Sequence, residues 1–229
     1  MNDVLLFFSI KYNGDWELIF QALETKEKIQ LKDINNIKNN FAYKYTTIID
    51  NNYPSLLKDV YKPPFIFYYD GNINLLSNKL VTLIGNWKIS DLLLLVKNKR
   101  DITFVLEHNT NNKKLSQEMI LKKINHILIS NVGLKRNQEN SIHKLVMSEF
   151  VGKNVEIAFD QIQDRILMGI SKNSIIKYKK NNLSIMTSLE IGKIEGKRMY
   201  FFDKCGQRII AKFKLEEIEN ISKIFSNKN

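Results

Sequence analysis

The sequence contains a single cysteine, Cys205, and three prolines, all of them between positions 54 and 64. One thiol excludes an intramolecular disulfide and a cysteine cluster for metal, and it fits a reducing, cytoplasmic setting. Glycine is scarce as well, nine in 229 residues, and no phosphate-cradling P-loop pattern is present. The apolar run Val4-Leu5-Leu6-Phe7-Phe8 has no basic leader before it and no small-residue cleavage site after it. It is also far shorter than a bilayer span, so it reads as core and no membrane is implied. His108, His126 and His143 lack metal-ligand spacing, and no nucleophile motif or paired carboxylates stand out. The chain therefore reads as a binder without cofactor rather than an enzyme. Asp160 and Asp164 would share an exposed face of a turn or helix.

What is present describes a folding chain: 44% hydrophobic and 26% charged residues exclude wholesale disorder. The formal net charge is +11, which favours a polyanionic partner because Lys and Arg release counterions from phosphates. An excess of Lys and Asn also arises from AT-rich coding. Position separates the two explanations. Residues 1–70 hold 8 Lys/Arg against 9 Asp/Glu, so the basic excess lies wholly in residues 71–229, which uniform compositional bias does not produce.

Along the chain, Leu18, Ile19, Ala22 and Leu23, then Ile29, Leu31, Ile34 and Ile37, recur at helical spacing and predict a small helical N-terminal subdomain over 1–42. Asp50-Asn51-Asn52-Tyr53-Pro54 is a turn signal, 55–60 a short helix, and Pro63-Pro64 a breaker before the strand-like Phe65-Ile66-Phe67-Tyr68-Tyr69. Beyond Gly71, strands at 80–84, 102–106, 126–130 and 155–159 alternate with helices at 90–97, 115–124 and 141–151. Such alternation is the mark of an α/β layer with a mostly parallel sheet. The segments 197–202 and 207–213 read as two strands of a β-hairpin around Asp203-Lys204-Cys205-Gly206, and 215–225 as a closing helix.

The stretch 46–85 also resembles a known family. Asp50-Asn51-Asn52-Tyr53-Pro54-Ser55-Leu56-Leu57, Pro63-Pro64-Phe65-Ile66-Phe67-Tyr68-Tyr69-Asp70-Gly71-Asn72 and Val81-Thr82-Leu83-Ile84-Gly85 follow one another. They are similar, in order and spacing, to the entry of the DNA-processing protein A (DprA/Smf) core. The strand 124–131 is similar to that family's "S-D-A-V-L-V-V-E-A", residues 141–155 to its helix-strand unit "S-L-x-T-A-x-x-A-L-E-x-G-R-x-V", and Asn173-Ser174-Ile175-Ile176 to "G-x-N-x-L-I". The family's Gly-Ser-Arg is replaced by Gly85-Asn86-Trp87, and its glycine-rich and "F-P-x-R-N-R" segments find no counterpart. The resemblance implies a shortened, divergent member. Its core at 43–182 would be a Rossmann-like, mostly parallel sheet with flanking helices, and 183–229 would form a hairpin-and-helix appendage. It further implies single-stranded DNA as partner, a possible homodimer, and help in loading a RecA-type recombinase.

Candidate site residues follow from that placement. Gly85 would let backbone amides approach a phosphate, although a tight turn needs the same residue. Asn86 could donate a hydrogen bond, and Lys88 could supply a point charge where the family's arginine is lost. Trp87 could stack on a base or lie under the next helix. Lys135, Arg136, Lys153, Lys177, Lys179 and Lys180 fall near expected strand ends, and Asn173 near the last motif. Three functions stay open: a single-stranded DNA binder, a nucleotide-binding Rossmann-like protein, and an interaction scaffold presenting 197–213. A continuous basic groove around Gly85 would favour DNA, and a filled or acidic one the scaffold.

Overall fold

The computed structural model describes residues 1–96, 101–134, 141–151, 160–178, 183–203 and 206–226. Three helices come first: α1 (Asn2–Lys11), α2 (Trp16–Glu24) and α3 (Leu31–Asn40). Asp15 starts α2, its carboxylate accepting the Leu18 amide at 3.1 Å. Phe8, Ile19 and Ala22 form a small buried cluster between α1 and α2. The helices are tied to the sheet by the Tyr68 hydroxyl on Ser9 Oγ (2.7 Å) and by the Trp16 indole N–H on Pro63 O (2.8 Å).

The remaining order is β1 (Lys44–Thr47), a 3-10 turn at Ser55–Lys58, β2 (Ile66–Gly71), a second at Ile73–Ser77, β3 (Lys79–Gly85) and α4 (Ile89–Val96). Then come β4 (Ile102–Glu107), α5 (Thr110–Leu121), β5 (His126–Ser130), β6 (Lys144–Ser148), α6 (Asp160–Gly169) and β7 (Asn173–Lys177). The chain closes with α7 (Leu183–Ile194), β8 (Arg198–Phe201), α8 (Gln207–Phe213), β9 (Glu216–Glu217) and α9 (Ser222–Ser226). Among the described residues one sheet runs β1-β2-β6-β5-β4-β3-β7-β8-β9. Only the pairings of β2, with β1 and with β6, are antiparallel.

Burial of both faces explains why these strands read as continuous apolar runs. Val81, Leu83, Phe104, Leu106 and Leu128 pack on one face against Leu92 and Leu95 of α4 and Leu115 and Met119 of α5. On the other face Val105, Ile127, Ile129 and Met147 meet Ile166 and Leu167 of α6 and Ile170 just after it, and Ile84 and Ile176 meet Ile185 and Leu189 of α7. The resemblance motif at 50–57 serves this packing. Tyr53 is buried on Phe67 with its hydroxyl donating to Pro64 O at 2.7 Å, and Leu57 is fully enclosed.

Three expectations are corrected. Residues 141–151 were read as a helix, but Lys144–Ser148 is the buried strand β6, held between β5 and β2. A short apolar run enclosed on both faces carries no periodicity that separates strand from helix. The hairpin at 197–213 is likewise replaced: Gln207–Phe213 is helix α8, and the chain returns to lay β9 parallel to β8. Ile209, Ile210 and Phe213 stand at helical spacing, and they fill the α7 side of the core. The closing helix at 215–225 shortens to Ser222–Ser226, after β9. The expected strand at 155–159 lies outside the described residues.

Candidate functional site

Strand order reverses at β3, with β4 on one side and β7 on the other, so the crevice beyond their carboxyl ends is where an open α/β sheet receives a ligand. Gly85 ends β3 there, with φ +101°, opposite Lys177 at the end of β7. A Cβ at this position would stand 2.2 Å from the Lys177 carbonyl oxygen. The glycine is thus required by the close approach of the neighbouring strand, without any ligand.

The start of α4 is already supplied with an anion. Asp91 Oδ2 accepts the Lys88 amide at 2.8 Å and the Lys177 ammonium at 2.7 Å. A phosphate there would meet a carboxylate in its place and a lysine already neutralised. Trp87 is 4% exposed, donates its indole N–H to Ile84 O at 3.0 Å, and packs against Phe202 with ring centroids 5.5 Å apart. It is a core residue beneath α4, and the expectation that it could stack on a base is set aside. Asn86 is exposed on the crevice lining, and Lys88 is exposed at the start of α4.

The crevice itself encloses about 150 Å³, bounded by Gly85, Asn86, Glu107, Asn109, Asp164 and Ser188. Asn109 caps α5 by accepting the Asn112 amide at 2.9 Å, and its Nδ2 donates to Glu107 Oε2 at 3.0 Å. The Asn112 side chain donates to Glu107 O at 2.8 Å, and Ser188 donates to Asp164 Oδ1 at 3.0 Å. Among the described residues the polar part of this lining is carboxylate, amide and hydroxyl, beside Leu83, Ile84, Leu167 and Ile185, with no lysine or arginine. Asp164, expected on an exposed face, is 7% exposed.

Asn173 is not brought to the crevice. It opens β7 opposite Val81, at the far end of the strand from Gly85, and its Oδ1 has no hydrogen-bond donor among the described residues. Lys135, Arg136, Lys153, Lys179 and Lys180 lie outside the described residues. The described chain beside them reaches the carboxyl edge of the sheet at Leu134 and Val151, which bridge in parallel beyond β5 and β6, and at Tyr178 after β7. The residues sequence reasoning missed are Asp91, Glu107, Asn109 and Ser188. Of these only the cap at Asn109 carries a local signal, an Asn directly ahead of a helical stretch.

Behind the crevice, Glu149 and Arg165 form a bidentate pair at 2.9 and 3.3 Å, both nearly enclosed. Burial pushes the Glu149 carboxyl above its ordinary range, against the opposing pull of Arg165. The Tyr53 phenol beside them is pushed up, chiefly by burial. Among the described residues no group of three or more His, Cys, Asp or Glu is placed to hold a metal ion, and no helix is long and apolar enough to cross a membrane.

Comparison with known proteins agrees with this architecture. The model of a family described as DNA recombination-mediator protein A matches residues 44–103, from β1 into β4. The fold is similar to the X-ray structure of DNA processing protein A from Streptococcus pneumoniae, with TM-score 0.66 and 14% identity over 99% of this chain and 93% of that one. It is also similar to DNA processing protein A from Helicobacter pylori, whose structure concerns that protein's single-stranded DNA binding mode. There the TM-score is 0.59 and identity 20%, over 81% of this chain and 94% of that one. No curated protein sequence matches the chain.

Proposed function

We propose that the chain is a divergent relative of the DNA-processing protein A family and binds single-stranded DNA across the carboxyl edge of its parallel sheet, a reading supported by the family model's match over residues 44–103 and by the similarity of fold. The observation that carries this reading is where the cations fall. Lys135 and Arg136 directly follow Leu134, Lys153 follows Val151 by two residues, and Lys179 and Lys180 directly follow Tyr178. The whole basic excess of the chain lies after residue 70. Phosphates are then held by these lysines and Arg136, with help from Asn86 and Lys88, and not by a cradle at Gly85. The role is binding without catalysis. In this reading the bound strand is handed to a RecA-type recombinase, and a homodimer presents two such edges.

A titration with fluorescent single-stranded oligonucleotides over a salt series tests it. The expected result is binding at low ionic strength that weakens linearly on a log–log plot. No binding at low salt would remove the reading. A second reading, an interaction scaffold that kept the fold and lost its DNA chemistry, is favoured by one observation: the carboxylate and amide groups in the lining of the Gly85 crevice. Full folding with no affinity for DNA at any ionic strength would select it. A phosphorylated nucleotide suits the same lining poorly, since Asp91 holds the helix start and Glu107 and Asp164 face the space.

A further inference from the structure

A groove of about 420 Å³ lies where α4 meets the ends of β8 and β9. Its floor is apolar, from Leu94, Phe202 and Ile218, and its rim is acidic, from Asp203, Glu217 and Glu219, with Asp91, held by the Lys177 ammonium, also on its wall. Leu94 is 57% exposed, and Leu93 beside it on the helix is 48% exposed. Two adjacent open leucines on a helix whose other leucines are buried mark an apolar face without a partner.

The walls are stitched together. The Ile218 amide donates to Phe201 O at 3.0 Å, and the Ile221 amide donates to Leu95 O at 3.1 Å, joining the chain after β9 to the end of α4. Phe202 is braced by Trp87. The groove is therefore formed before any partner arrives, which lowers the ordering cost of binding.

Charge decides the chemistry of that partner. Asp203, Glu217 and Glu219 are exposed, and none makes an ion pair among the described residues. The nearby Lys223 ammonium donates to the Glu217 backbone carbonyl at 2.6 Å. Three carboxylates gathered around an apolar floor, on a chain of net charge +11, repel a nucleic acid and attract a cationic segment. We infer that the groove between α4 and the β8–β9 end of the sheet docks a partner protein through a segment that combines Lys or Arg with aliphatic side chains. The aliphatic groups sit on Leu94, Phe202 and Ile218, and the cations reach the rim.

The full-length chain is titrated with a short fluorescent peptide alternating lysine and leucine, and with its glutamate–leucine counterpart. The lysine peptide is expected to bind and the glutamate peptide not. Leu94→Ser and the double variant Glu217→Gln/Glu219→Gln should each weaken the lysine peptide by about tenfold, with single-stranded DNA affinity and melting temperature unchanged. If Leu94→Ser melts at lower temperature, the double variant carries the comparison alone, since its positions are exposed. Equal peptide affinity in wild type and the double variant would overturn the inference. So would sedimentation of a dimer that the double variant separates, because the groove's occupant would then be a second copy of the chain.

Discussion

At the scale of single residues, Gly85 and His126 have consequences that are open to measurement. Gly85 combines φ +101° with the Lys177 carbonyl 2.2 Å from where a Cβ would stand, so β3 and β7 would have to part to admit a side chain. Gly85→Ala is expected to cost about 2–4 kcal/mol in urea unfolding. A loss below about 0.5 kcal/mol would mean that the two strands yield more readily than close packing allows. His126 is fully buried, its Nε2 2.7 Å from Ser116 Oγ and its Nδ1 3.0 Å from Ile124 O. A carbonyl can only accept, so Nδ1 carries the proton and Nε2 accepts from the serine. Burial, helped by Lys144 and His143, holds the imidazole pKa down to about 4. The native state thus keeps the ring neutral, while the unfolded chain protonates it near pH 6.5. Its contribution to stability is complete above that value and declines as pH falls toward 4. Between about pH 7 and 5 the wild type should lose about 2 kcal/mol more than His126→Gln, measured by denaturant unfolding at each pH. Parallel pH profiles of the two proteins would assign the decline to other groups.

At the scale of elements, the joint between β6 and α6 depends on a charged clip. Glu149, the residue after β6, and Arg165 of α6 form a bidentate pair in a nearly enclosed site. Removing either residue takes a bidentate, charge-assisted pair away from a buried charge. Glu149→Ala or Arg165→Ala should therefore each cost about 3–5 kcal/mol, whereas Glu149→Leu/Arg165→Met should recover much of the loss. A double variant as unstable as the sum of the single ones would contradict this account. The same joint shows why 141–151 misleads as sequence. Leu145, Val146 and Met147 are buried because strands flank them on both sides, a condition that local pattern does not express.

At the scale of the whole molecule, charge is segregated along the chain. The described rim at β8 and β9 is acidic, and the cationic stretches follow β5, β6 and β7 in sequence. If the second region holds DNA, the triple variant Lys135→Ala/Arg136→Ala/Lys153→Ala should weaken single-stranded DNA binding and flatten the log–log salt slope by about one for each phosphate no longer neutralised. Its stability should stay within about 0.5 kcal/mol of wild type if these residues serve the surface alone. An unchanged slope in the triple variant would place the bound phosphates elsewhere on the chain.

The sequence by itself determined the alternating α/β class, the helical start, the turn at Tyr53-Pro54 and strands read at 65–69, 80–84, 102–106 and 126–130, which the structure places at 66–71, 79–85, 102–107 and 126–130. Each of these rests on short-range physics: turn chemistry, helical periodicity, or an apolar run bounded by breakers. It also located the family resemblance, since that is carried by contiguous segments. Only the tertiary structure decided that 144–148 is a strand and 207–213 a helix. It also decided that Trp87 is core, that Asn173 stands away from the crevice, and that Asp91 already fills the start of α4. Those outcomes depend on which strand lies beside which, and strand order joins residues as distant as Gly85 and Lys177. The chemistry of the crevice belongs to the same level. Glu107, Asn109, Asp164 and Ser188 come from separate places in the chain, and they share a wall only because β3, β4, α6 and α7 converge there.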